Sequence, residues 1–167
     1  MKRLVLAVII AVLVLLGVFY FRFQTYFIEN RISEELPQMI PDSQQQVLQK
    51  PTILKQGDFV DADFFHKGNG KAFIFEYPDG RRVLRFEDFE VVNGPDVYVY
   101  LSHTTAPTGD LKSLGDYFDL GLLKGNVGNQ NYELPDMDLS GYNSVVLWCK
   151  KFGILFPYAV LDNPKIK

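Results

Sequence analysis

Cysteine is almost absent from this chain: Cys149 is the only one. A single thiol cannot close an intramolecular disulfide, and no zinc site built on several cysteines is available. Histidine is nearly as scarce, with His66 and His103 alone, each in a turn-like context. Neither has a second ligand at metal spacing, and imidazole sites need three or four converging donors, so no metal site is expected. No basic run exceeds two residues and the formal charge is only −3, so the electrostatic footprint of a nucleic-acid binder is missing. There is also no G-x-S-x-G, no P-loop and no H-E-x-x-H, which removes the common signatures of serine hydrolases, nucleotide binding and zinc peptidases. No catalytic residue is assigned on this reading, and no cofactor is identified.

Charge is absent in another way at the N-terminus. Lys2 and Arg3 precede an uncharged run from Leu4 to Phe21. As a helix, about 18 residues at 1.5 Å each span roughly 27 Å, enough for a bilayer core. A cleaved signal peptide needs a shorter apolar region and a small-residue site after it. Here bulky F-Y-F-R-F-Q-T-Y-F follows, and Tyr20 and Tyr26 read as an interfacial belt. The expectation is therefore an uncleaved signal-anchor over residues 1–21, with the lipid bilayer as partner of residues 4–21. Lys2 and Arg3 favour a cytoplasmic N-terminus, while Arg22 and Arg31 weaken the bias. The C-terminal domain is expected outside the cytoplasm, on a single-pass protein of the cell membrane.

Residues 22–50 are polar and rich in Gln, with Pro37 and Pro41 interrupting any long helix. Ile28, Ile32 and Leu36 recur every four residues, which predicts a short helix before Pro37. Ser43 is a candidate cap for a second short helix. The region reads as a partly helical stalk; the alternative is that part of it packs on the domain.

From Pro51 onward the apolar period is two. K-A-F-I-F-E-Y and R-V-L-R-F-E are joined by Pro78, Asp79 and Gly80, a hairpin signal. Val97, Val99 and Leu101 share one face of a further strand, and Tyr98 and Tyr100 the other. Q-N-Y-E-L-P, S-V-V-L-W-C-K and I-L-F-P-Y-A-V-L complete the series. Many short strands with regular turns predict an all-β, antiparallel sandwich or barrel-like domain over residues 51–167.

G-L-L-K-G-N-V-G-N-Q, residues 121–130, lacks the strand-then-helix context of a phosphate loop, so its glycines read as turns needing positive φ. Asn126, Asn129 and Asn131 are candidates for Asx-type bonds within those turns. D-F-V-D-A-D lacks the glycine and closing glutamate of a calcium loop and reads as a solvated turn. Cys149 lies on one strand face with Val145 and Leu147, and Trp148 and Lys150 lie on the other. If Leu147 faces the core, Cys149 is a small buried hydrophobe. If Trp148 does, the thiol is more exposed, with Lys150 and Lys151 close enough in sequence to promote its thiolate.

The stretches G-D-F-V, H-K-G-N-G-K-A-F-I, L-R-F-E-D-F-E-V-V-N-G-P-D-V-Y-V-Y-L-S, L-G-L-L-K-G-N-V-G-N-Q-N-Y-E-L-P and Y-N-S-V-V-L-W-C-K-K-F-G-I-L-F follow one another between residues 57 and 161. In this order they resemble the DM13 domain family. The resemblance implies a β-sandwich-like extracellular module with a redox or electron-transfer role at the cysteine matching Cys149. His66 falls where that family often has a histidine. Pro157 departs from the small residue more usual there, with consequences expected for the last strand. Relatives carry the module beside domains that handle haem and electrons; here it stands alone on an anchor. The resulting expectation is a membrane-tethered module, not a stand-alone enzyme. Cys149 is its redox thiol, His66, Trp148 and Tyr100 are site neighbours, and a redox protein is its partner. The competing expectation is a non-enzymatic surface binding or adhesion module with Cys149 packed in its core.

Overall fold

The runs of period two form strands because β-branched and aromatic side chains on alternate positions bury one face of a pleated sheet. A computed structural model describes residues 2–25, 29–37 and 50–164. Helix α1 covers Lys2–Thr25. Eight strands follow: β1 (Thr52–Val60), β2 (Gly68–Glu76), β3 (Arg82–Val91), β4 (Val97–Ser102), β5 (Tyr117–Leu122), β6 (Gln130–Leu134), β7 (Ser144–Cys149) and β8 (Ile154–Val160). They form one sheet in the order β5-β4-β7-β8-β1-β2-β3-β6, every pair antiparallel. The sheet curls into a nearly closed barrel. The β2–β3 hairpin turns through Pro78, Asp79 and Gly80 as expected, and Gly80 takes φ +83° there.

The barrel interior holds Phe59, Leu84, Phe86, Phe89, Val97, Val99, Leu101, Val145, Leu147, Cys149 and Phe156 among others. This settles which face of β7 is inward: Leu147 and Cys149 point into the barrel. Trp148 and Val146 lie on the outer face, yet are also buried, with Tyr100, Leu155 and Leu114. Leu114 belongs to a one-turn 3₁₀ segment, Leu111–Leu114, that covers this second cluster. Pro157 is buried inside β8, where a proline normally removes a ladder bond. The β7–β8 register shifts between Val146 and Trp148, opposite Tyr158 and Leu155, so the proline sits within a bulge.

Two sequence expectations change. Residues 29–37 contain no helix; they are extended, with Ile32, Glu34 and Leu36 turned inward and Arg31, Ser33 and Glu35 outward. A spacing of four satisfies a period of two as well as one of 3.6, so Ile32 and Leu36 also fit an extended chain. Nor is this part of the stalk free. It is a strap bonded to the β5–β6 connection and to the edge strand β6. The Ser43-capped helix and Tyr26 lie outside the described residues. Among the described residues, no helix is long and apolar enough to be assigned as crossing a membrane.

Candidate functional site

Antiparallel connectivity places the 61–67, 92–96, 123–129 and 150–153 connections at one end of the barrel. Together they wall a cavity of about 740 Å³. Its lining includes Cys149, His66, Phe156, Ile154, Asn126 and Phe152. Cys149 is the last residue of β7, paired across to Val97 on β4 and Ile154 on β8. Its solvent exposure is 0%, so the thiol forms part of the cavity floor without meeting bulk water.

Local bonds fix the wall beside it. Asp63 Oδ1 accepts from the backbone N–H of Phe65 at 2.7 Å and of His66 at 2.8 Å. Asp63 Oδ2 lies 2.7 Å from His66 Nδ1. Asp61 accepts from the Gly68 N–H at 2.9 Å, closing the same loop. The His66 ring leans on Phe156 at 4.7 Å between centroids. The hydrogen bond from the His66 side chain, then that from its backbone, pull the Asp63 carboxyl down to about 2. Asp63 is therefore a carboxylate at neutral pH, and it holds His66 with Nδ1–H directed at it. This leaves Nε2 as the ring nitrogen available for other contacts.

Two of the four expected site residues, Cys149 and His66, therefore line one cavity. Trp148 and Tyr100 do not; they belong to the cluster on the outer face of the sheet. Burial pushes the Tyr100 hydroxyl up to about 12, but it does so away from the thiol. Lys150 is also on that face. Its Nζ lies 2.7 Å from Asp119 Oδ2 and 3.4 Å from the centre of the Tyr98 ring. Lys151 stands over Phe152. Sequence adjacency to Cys149 thus does not make Lys150 a neighbour of its sulfur. His103 packs against Tyr142 at the opposite end. The described residues contain no cluster of three or more His, Cys, Asp or Glu suited to a metal ion.

The Gly-rich run 121–130 has a purpose that the sequence reading missed. Gly121 and Gly128 take positive φ, as expected. Gly125 and Gly128 also receive the strap. A Cβ on Gly128 would lie 2.0 Å from the Ile32 carbonyl oxygen, and one on Gly125 would lie 2.5 Å from that of Asn30. Ile32 N–H donates to Val127 O and Glu34 N–H to Asn129 O, both at 2.9 Å. The asparagines bond across the fold rather than within turns. Asn126 Oδ1 accepts from the Asn30 N–H at 2.6 Å, while its amide donates to Val91 O at 3.1 Å. Asn129 accepts from the Asp88 N–H and Asn131 from Arg85. Buried Gln130 holds the loop from inside, donating to Gly125 O at 2.9 Å and accepting from the Tyr132 hydroxyl at 2.7 Å.

The fold is thus a small antiparallel barrel with a loop-walled cavity at one end, lined in part by its lone thiol. The family model described as "Electron transfer DM13" matches residues 58–161. That is well over half of the chain, and the chain belongs to this family. No curated protein and no solved structure matches it.

Proposed function

We propose that this chain is a membrane-anchored electron-transfer module working outside the cytoplasm, with Cys149 as its redox-active group. The observation that carries the reading is that the only thiol of a DM13 chain forms the floor of its large cavity. His66, held by Asp63, supplies a hydrogen-bonding ring to the lining of the same cavity. An enclosed thiol is reached by small oxidants more readily than by a protein disulfide. Peroxide fits: the Cys149 thiolate takes oxygen from H₂O₂, becoming sulfenic acid and releasing hydroxide. Two molecules of a small thiol, entering by the same route, then leave as a disulfide with one water, returning Cys149 to the thiol. Each cycle moves two electrons.

The support for anchoring is in the sequence: the uncharged run Leu4 to Phe21 would span roughly 27 Å as a helix. Its described apolar side chains from Val5 to Leu16 are 48–68% exposed, with nothing in the described chain covering them. Lys2 and Arg3 support a cytoplasmic N-terminus.

A second reading is favoured by one observation: Cys149 is wholly buried among the main core residues. The cavity would then bind an apolar ligand and the thiol would only pack. One experiment separates the two. The full chain in detergent micelles is treated with limiting peroxide, and oxidation is followed by intact mass, native and urea-unfolded, beside Cys149→Ala. The redox reading expects rapid addition of one oxygen to the native protein, reversed by added thiol and absent in the variant. A thiol oxidised only after unfolding assigns the site to binding.

A further inference from the structure

We infer that the cavity end of the barrel rests on the bilayer, with Phe64, Phe65 and Phe152 in its interfacial layer. This rests on the anchor proposed for α1. The first observation is the strap. Helix α1 ends at Thr25, and Asn30 is already bonded to the domain through Asn126 and Lys124. Five residue steps reach at most about 17 Å when fully extended. A free linker of roughly 26 steps from Thr25 to Pro51 would reach ~85 Å by the same measure. The strap thus replaces a long stalk with a short leash.

The leash is attached at a particular place. Asn126 lines the cavity together with Phe64 and Phe65. From Asn30 the strap runs away from this end. Glu34 is bonded at Asn129 and Asn131, and Leu36 packs by Phe75, Tyr77 and Val83 at the other end of the sheet. Chain direction alone therefore puts the cavity end next to the end of the anchor and the β2–β3 turn far from it.

The surface at that end is suited to lipid. Among the described residues, the large apolar side chains exposed on the β domain are Val60, Phe64, Phe65, Val92, Leu111, Tyr117, Leu122 and Phe152. All but Leu111 and Tyr117 lie at the cavity end. Phe64 is 77% exposed, Phe65 75% and Phe152 53%. Aromatic rings at water-exposed loop tips are what the interfacial region of a bilayer accepts. Two of the three carry a lysine over the ring: Lys67 Nζ is 5.2 Å from the centre of Phe64 and Lys151 Nζ 5.7 Å from that of Phe152. An ammonium beside a membrane-seated ring meets lipid phosphates. Of the acidic groups here, Asp63 is turned to His66 and Asp61 to the Gly68 N–H, and Asp119 is paired with Lys150. Glu29, paired with Arg31, and Asp88, Glu90 and Asp96 are also at this end.

The test uses the full chain in phosphatidylcholine vesicles whose acyl chains are brominated near the headgroup. Phe65→Trp and Phe152→Trp report from two separate loops, and Leu111→Trp from the far end. The emission of native, buried Trp148 is subtracted using the unsubstituted chain. Both loop variants should shift to the blue and lose most of their added emission to the brominated lipid, while Leu111→Trp stays unquenched. Equal quenching at all three sites overturns the proposed orientation. So does quenching at none of them while the chain floats with vesicles after an alkaline wash, and the anchor then stands without the docking. A chain that fails to float overturns the anchor, and the docking with it.

Discussion

Gly128→Ala is the sharpest test of the strap. Gly128 has φ +101°, and its missing Cβ leaves the space into which the Ile32 carbonyl fits. Alanine there costs backbone strain, about 1–2 kcal/mol, and it also displaces the strap. The bonds Ile32 N–H to Val127 O and Glu34 N–H to Asn129 O are the first to go. At about 1 kcal/mol each, net, their loss adds up to ~2 kcal/mol. Gly80→Ala is the control that isolates strain, because Gly80 has φ +83° and nothing within 4 Å of a new Cβ. Urea unfolding of both full-length variants in micelles, read by Trp148 fluorescence, should show Gly128→Ala the less stable by about 1–2 kcal/mol. Trypsin gives an independent readout. The Arg31–Ile32 bond is held against the domain in the native chain, so it should be cut faster in Gly128→Ala and unchanged in Gly80→Ala. Equal stabilities together with equal cleavage rates would refute the claim that this glycine receives the strap.

Acid should release the same strap. Burial pushes the Glu34 carboxyl up, but its hydrogen bonds from Lys124 and the Asn131 N–H, with the Lys124 and Arg85 charges, prevail and hold it below 4.5. A depressed carboxylate stabilises the folded form above the unfolded value, and the contribution is lost as pH falls through the folded one. Amide exchange at Ile32 and Asn131, corrected for intrinsic pH dependence, should therefore accelerate below about pH 4.5. In Glu34→Gln it should already be fast at neutral pH; protection that does not change with acid in the native chain counts against this role. On the cavity wall, the Asp63 carboxyl carbon should titrate near 2. His66→Gln should move that midpoint toward 3.8, and an ordinary midpoint in the native chain would remove the Asp63–His66 bond from the site.

The strands were legible because their signal is local. β4 shows why: Val97, Val99 and Leu101 face the barrel and Tyr98 and Tyr100 the outer cluster, as alternation requires. The hairpin at Pro78–Gly80 was legible from its turn residues, whereas alternation on β7 grouped Cys149 with Val145 and Leu147 without saying which way that face points. Trp148 was harder to place, because β7 is central and both its faces are buried. Alternation states which residues share a face but not which face is the barrel interior, and on β7 hydrophobicity does not break the tie. The strap was hidden by an arithmetic coincidence, a spacing of four common to two periods. Its receiving glycines looked like ordinary turn residues because close approach by a distant segment leaves no mark in the local sequence.

The cavity could not be read from sequence for a related reason. Its walls come from four connections spread between residues 61 and 153, and only barrel closure brings Phe64, Asn126 and Cys149 around one space. That closure also explains how Cys149 can belong to the core and line the cavity at once. The barrel interior continues into the cavity at the end of β7, so Cys149 packs in the core with Val97, Leu147 and Ile154 while the loops beyond it wall the space it lines. Those loops are the ones bearing Phe64, Phe65 and Phe152. If they rest on the bilayer, the same contact that holds the domain down also controls the approach to the thiol. Reagents that partition into lipid then have the shorter route to Cys149, and the short leash at Asn30 belongs to the site as much as the loops do.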